Sequence, residues 1–166
     1  DIEKSIRKQL RIKEESFVIL YAPTWKGADY NKPEVNPDDY YNFKRELEEY
    51  IDTVKYQILL KPHQVVYKEL VKSGMFSNSL IPAFIDTNEL LSITDILISD
   101  YSSIFFDFLA SDKPVLFYIP DLEEYKNYRG LYMEPDKLPG PALTSVKEIG
   151  NSINNLGEVI NKYKDS

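Results

Sequence analysis

The sequence predicts an α/β fold in which a Rossmann-like parallel sheet is flanked by helices. Two observations lead there. Short β-rich apolar runs of strand length alternate along the chain with segments whose apolar residues recur every three or four positions. One of the runs, "DILIS" at 95–99, is short and continuously apolar, as suits a central strand covered by helices on both faces.

The elements follow in order. Ile2 to Ile12 mixes charged and apolar residues at helical spacing and reads as a lead-in helix. "SFVILYA" (16–22) is the first strand, stopped by Pro23, and the long loop "PTWKGADYNKPEVNP" follows. Loops of that length in compact domains are usually functional or disordered. Asp38 or Asp39 then caps a helix in which Tyr40, Phe43, Leu47, Tyr50, Ile51 and Val54 share a face. "KYQILLKPH" (55–63) is the second strand, and "VVYKELVKSG" a short helix closed by Gly74. "LIPAFID" (80–86) is a weaker strand that Pro82 demotes to an edge or a strand start. Thr87 caps the turn "NELLSI" before the fourth strand, 95–99. "SSIFFDFLASD" is a helix, "KPVLFYI" (113–119) the fifth strand, "PDLEEYKNYRG" a short helix stopped by Gly130, and "MEPDKLPGP" a proline-rich loop. The last helix opens with a capping box, Ser145-x-x-Glu148, and carries Val146, Ile149, Ile153, Leu156 and Ile160 on one side.

Composition narrows the classes. The 166 residues, 43% of them hydrophobic, suit one domain with a sizeable core, and no repeat or linker divides residues 1–166. The start, "DIEKSIRKQL", has no signal-peptide pattern and no apolar stretch reaches the roughly 20 residues that cross a bilayer, so the expectation is a cytoplasmic protein. Cysteine is absent and His63 is the only histidine, so any metal centre would have to be built from carboxylates, and none is expected. A net charge of −7 argues against broad nucleic-acid binding and against adhesion to anionic lipid. The thirteen tyrosines read as amphipathic packing at the core margin more than as a ligand surface.

Ligands of open α/β sheets bind beyond the carboxyl ends of the strands. Three polar clusters fall at such ends: "PTWKG" after the first strand, "KPH" after the second and "SDYSS" after the fourth. A fourth, "YRG", ends the short helix after the fifth. Ser102 or Ser103 caps the helix that follows, but a cap needs one serine, and a helix N-terminus with two hydroxyls also suits a phosphate. Asp100 would repel a phosphate and is better suited to a ligand hydroxyl, a neighbouring cation or the loop backbone. His63 either packs as a neutral, hydrogen-bonded imidazole or serves as a donor or acid–base group. Lys26, Lys61 and Arg129 are ordinary surface charges unless they converge, when they make the cationic clamp a diphosphate needs. Asp107, inside an apolar helix, is either paired, catalytic or simply on an exposed face, and the exposed face is the favoured reading. No glycine-rich P-loop or dinucleotide fingerprint is present, and no cofactor is implied.

"YAPTWKG", "LLKPH", "ILISDYSSIFFDFLASDKPVLFYIPDLEEY", "YRGLY" and "LPGP", in this order from about Phe17 to Leu143, resemble the CDP-glycerol glycerophosphotransferase family, the teichoic-acid primases and polymerases. The resemblance implies a GT-B-type transferase whose C-terminal half binds the cytidine diphosphate donor, and this chain looks like that half. The acceptor-binding half, with the family's catalytic-base histidine and any membrane contact, would lie outside the sequence. In the family the acceptor hydroxyl attacks the β-phosphorus of CDP-glycerol, releasing CMP and extending a poly(glycerol phosphate) chain.

Carried over by motif, His63 is expected to touch the diphosphate and help the leaving group. Ser102 and Ser103 would seat a phosphate, Arg129 and Gly130 would contact the diphosphate, and Thr24 and Trp25 would line the cleft wall. Lys26 stands where the family often has arginine, and Gln64 follows His63 where proline is common. CDP-ribitol is the close alternative donor. A nucleotide-sugar glycosyltransferase or epimerase is another reading, with Asp107, Glu123 or Glu124 to grip a ribose. A non-catalytic nucleotide-binding module is the third.

Overall fold

The computed structural model describes residues 1–23, 38–62, 64–72, 79–100, 104–120 and 138–163. The described helices are α1 (Ile2–Gln9), α2 (Asp38–Glu48), α3 (Gln64–Lys72), α4 (Thr87–Ser92), α5 (Ile104–Phe108), α6 (Val146–Asn154) and α7 (Leu156–Tyr163). The strands are β1 (Phe17–Tyr21), β2 (Tyr56–Leu60), β3 (Ile96–Ser99), β4 (Val115–Tyr118) and β5 (Ala142–Leu143). They form one parallel sheet in the order β2-β1-β3-β4-β5. The chain therefore runs outward from β1 to β2, then returns past β1 to build β3, β4 and β5 on the other side.

Side-chain alternation divides the strands between two cores. Val18, Leu20, Leu59, Leu97, Val115 and Phe117 face one way, under α1, α4 and α5. Ile19, Tyr21, Ile58, Leu60, Ile96, Ile98 and Leu116 face the other, under α2, α3 and α6. Each fully buried Leu, Ile or Phe contributes about 1.5–3 kcal/mol relative to exposure, so both faces are needed to hold the sheet. This two-sided burial is what the continuous apolar runs predict.

Several boundaries differ from expectation, each for a local reason. Residues 80–86 are not a strand: Leu80 makes an isolated bridge with Leu60, Ile81 N–H donates to the Leu60 carbonyl at 2.9 Å, and Pro82 has no N–H to continue. The cap of α4 is Asp86 rather than Thr87, its carboxylate accepting from Asn88 N–H at 2.9 Å and Glu89 N–H at 3.2 Å. α2 stops at Glu48 because Asp52 draws the N–H groups of Val54 and Lys55 (2.9 and 3.3 Å) into a turn, leaving Val54 79% exposed. α1 ends at Gln9, where Arg11 takes a positive φ of 56°. The helix expected over "SSIFFDFLASD" is α5 followed by a 3-10 turn, Leu109–Ser111, closed by Asp112 at φ 58°. Gly74 and the expected helix "DLEEYKNYRG" lie outside the described residues.

The C-terminal helix keeps its capping box, with Glu148 N–H donating to Ser145 Oγ at 3.2 Å, but it breaks at Asn155 into α6 and α7, and Ile160 is exposed. Gly150 is required in α6, because a Cβ there would lie 2.4 Å from Tyr50 Cβ. β5 has no apolar run to announce it. It forms because Phe117 N–H donates to the Pro141 carbonyl at 2.9 Å and Ile119 N–H to the Leu143 carbonyl at 2.7 Å.

Gly140 sits where this edge joins the sheet. A Cβ at that position would lie 1.9 Å from the Val115 carbonyl oxygen, a backbone atom with nowhere to move. Gly140→Ala is expected to destabilise the chain by about 2 kcal/mol or more, read as a lowered urea midpoint, whereas Gly157→Ala, which meets nothing within 4 Å, is expected to be neutral or stabilising.

Candidate functional site at the carboxyl edge of the sheet

In sheets of this order the ligand crevice opens where the chain reverses direction, outside the carboxyl ends of the two strands that flank the reversal. Here those strands are β1 and β3. The pairing continues one residue past each strand: Ala22 N–H donates to the Ile98 carbonyl at 2.9 Å, and Lys61 N–H donates to the Tyr21 carbonyl at 2.9 Å. Ser99 Oγ donates to the Ala22 carbonyl at 3.0 Å and ties the two exits together from within the core. Pro23 and Pro62, both buried, then stop the ladder at the same level, because neither has an N–H to give.

By the register, Lys61, Ala22 and Ser99 stand side by side across β2, β1 and β3, and Asp100 follows one residue further along. With neighbouring strands about 4.8 Å apart, the Lys61 and Asp100 backbones are roughly 10 Å from each other. Burial pushes the Lys61 ammonium below its ordinary range. Asp100 is 3% exposed and, continuing the alternation of Ile96 and Ile98, belongs to the same face as Tyr21. On that face an aromatic cluster fills the space beneath the edge. Tyr21 stacks on Phe43 with ring centroids 3.9 Å apart, Tyr40 lies 5.9 Å from Tyr21, and Tyr118 lies 5.1 Å from Phe43. Burial above all, with the Asp100 carboxylate among the lesser causes, raises the pKa of both Tyr21 and Tyr40 well above the usual phenol value. Both phenols are donors at any physiological pH.

Of the residues singled out from the sequence, the structure thus brings Lys61 and Asp100 to one edge. Thr24, Trp25, Lys26, His63, Ser102, Ser103, Arg129 and Gly130 lie outside the described residues. Asp107 is exposed on α5, as expected. Among the described residues no group of three or more His, Cys, Asp or Glu could hold a metal ion. Tyr21 and Tyr40 were read only as margin packing. The one sequence signal at Tyr21 is a polar-tipped ring closing an otherwise aliphatic strand, "FVILY"; Tyr40, on a distant helix, has none.

A family defined by sequence covers the whole chain. The model for CDP-glycerol:poly(glycerophosphate) glycerophosphotransferase matches residues 1–166. The chain belongs to this family. A teichoic acid poly(glycerol phosphate) polymerase of Bacillus spizizenii is 35% identical over 161 residues, 89% of this chain and 38% of the relative. The ribitol-phosphate polymerase TarL of Staphylococcus aureus is 31% identical over 158 residues, 93% of this chain and 28% of its own. A histidine-to-asparagine variant of the wall teichoic acid polymerase TagF, soaked with CDPG, superposes with a TM-score of 0.73 at 32% identity, covering 99% of this chain and 39% of that one. The chain thus spans less than half the length of the relatives it matches. The TagF likeness agrees with the GT-B-type, Rossmann-like half that the sequence resemblance implies.

Lys61 gives this edge a measurable tension. Its lowered pKa means the unfolded chain holds the proton more tightly, so the cost of burying the ammonium is full at neutral pH and fades as pH rises towards the ordinary lysine value. Lys61→Met is expected to raise the thermal midpoint at pH 7 and to lose that advantage as pH rises past the ordinary lysine value. Thermal melts of both proteins across that range check the sign.

Proposed function

We propose that the chain is the donor-binding domain of a glycerophosphotransferase that uses CDP-glycerol to extend a teichoic acid or related polymer, with residues 1–166 acting as one nucleotide-binding unit. The observation that carries this reading is the convergence of three neighbouring strand ends, at Ala22, Lys61 and Asp100, at the reversal point of a sheet whose family takes CDP-glycerol. A TagF variant soaked with CDPG, covered over 99% of this chain, supports the choice of donor.

On this reading Lys26, Lys61 and Arg129, with Gly130 allowing close backbone approach, neutralise the diphosphate. Ser102 and Ser103 donate to its oxygens, His63 assists departure of the leaving phosphate, and Thr24 and Trp25 wall the cleft. Asp100 holds the exit of β3. Among the described residues α5 spans five, so on this reading the hydroxyls and cations carry more of the work than the helix dipole. The acceptor hydroxyl oxygen bonds to the β-phosphorus. The bond from that phosphorus to the bridging oxygen breaks, CMP leaves with the electron pair, and the hydroxyl proton passes to a base outside this chain. Such transfer needs mainly positioning and charge stabilisation, which cations and N–H donors supply.

The acceptor, a glycerophosphate polymer, and any membrane contact belong to the rest of the protein, and we place the reaction in the cytoplasm. Among the described residues no helix is long and apolar enough to cross a membrane. The ribitol-phosphate relative, at 31% identity, keeps CDP-ribitol as the second donor.

Calorimetric titration with CDP-glycerol, CDP-ribitol, CMP, UDP-sugars and pyrophosphate tests the reading. CDP-glycerol is expected to bind tightest. Preference for a UDP-sugar would replace the reading with a nucleotide-sugar enzyme, and no nucleotide binding would end it. Ser103→Ala combined with Arg129→Ala is expected to weaken CDP-glycerol by about 100-fold or more, two lost hydrogen bonds to charged oxygens, while the thermal midpoint moves little. Unchanged affinity would remove these residues from the site.

A further inference from the structure

Tyr21 and Tyr40 are more than nine-tenths buried, at 8% and 7% exposure, and among the described residues neither hydroxyl has a hydrogen-bond partner. Such hydroxyls are expected to find partners, and phenylalanine would fill the same space, as Phe43 does beside them. They also sit at the strand end where the ligand crevice opens, on the face to which Asp100 belongs. A carboxylate accepts hydrogen bonds at about four lone-pair positions, so Asp100 has capacity for a ligand in addition to its contacts within the protein. A phenol that donates beside a carboxylate that accepts is complementary to one kind of group in particular: an alcohol, which both accepts and donates. A phosphate oxygen would satisfy the phenols but be repelled by Asp100.

We propose that Tyr40, with Tyr21 and Asp100, forms a hydroxyl-recognition subsite that takes an alcohol group of the donor, from either its ribose or its polyol. The inference rests on the donor-site reading above and assigns Tyr40 and Tyr21 a role beyond packing. It also gives Asp100 a ligand, where the same carboxylate would otherwise only hold the chain as it leaves β3. The retention of both phenolic protons supports it, since only the protonated form donates.

Calorimetry with CDP and with CDP-glycerol, on the full chain and on Tyr40→Phe, Tyr21→Phe and Asp100→Asn, tests the subsite. If the polyol is the target, Tyr40→Phe and Asp100→Asn weaken CDP-glycerol by about tenfold each and leave CDP unchanged. If the ribose is the target, both ligands weaken alike. In either case the thermal midpoint of Tyr40→Phe, measured without ligand, stays level or rises, because the hydroxyl it loses has no partner among the described residues. Undiminished binding of both ligands by Tyr40→Phe and Tyr21→Phe would overturn the subsite while leaving the donor reading intact. So would a lowered midpoint in both variants, which would make the hydroxyls structural. Failure of the wild-type chain to bind CDP at all would overturn both.

Discussion

Everything at the candidate site depends on β1 being paired on both sides. Its register with β2 and with β3 sets Tyr21 opposite Leu60 on one flank and Ile98 on the other, so three chain exits are fixed relative to one another by backbone hydrogen bonds. Side chains lock the β1–β3 pair at both ends. At the amino end the Asp95 carboxylate accepts from Val18 N–H at 2.7 Å, and at the carboxyl end Ser99 Oγ donates to the Ala22 carbonyl at 3.0 Å. Buried polar groups without such partners cost about 1–3 kcal/mol each, so these two bonds oppose any slip of one strand along the other. A parallel ladder also sends every strand in the same direction. The polar residues at the strand ends are thereby collected on one edge, whatever their distance apart in sequence.

That logic explains what was legible in the sequence. The strands were visible because helices cover both faces, which removes the polar half of the usual alternation and leaves runs such as "FVILY" and "DILIS". The clusters at their ends were visible because polar residues stand out after such runs. Boundaries were harder, since they turn on single hydrogen bonds between competing candidates. Asp86 and Thr87 are adjacent capping residues, and geometry chose the first. The segment 80–86 has strand composition but only one bridge, because Pro82 interrupts the donors. β5 was invisible because two residues make no pattern, and its place is secured by the carbonyls of Pro141 and Leu143. The aromatic wedge of Tyr21, Tyr40, Phe43 and Tyr118 was invisible for a different reason. It is assembled from β1, α2 and β4, and only the fold brings them together.

The edge sets opposing electrostatic demands next to each other. A chain of net charge −7 must present cations to bind a diphosphate, and Lys61 is held where burial already disfavours its charge. Its ammonium is therefore only partly compensated by water and gains more from an anionic ligand than a fully solvated lysine would. Asp100, two strands away, has the opposite sign and greater burial. The pair divides the edge into a region suited to phosphate and a region suited to neutral, hydroxyl-bearing groups. On the donor reading, a nucleoside diphosphate esterified to a polyol carries both kinds of group, and the two regions together would orient it along the strand ends.

Orientation in turn bears on how one part of a larger enzyme can contribute. In an in-line displacement the nucleophile approaches the phosphorus from the side opposite the leaving group. On the donor reading, the cations at these strand ends grip the diphosphate and the leaving CMP. The attacked side of the β-phosphorus must then face away from those contacts, towards whatever presents the acceptor. A domain built this way lowers the barrier by holding charge in place and turning one face outward, and its binding energy is spent on the donor alone. The match to less than half the length of each relative leaves room for such a division, with donor recognition proposed for these strands.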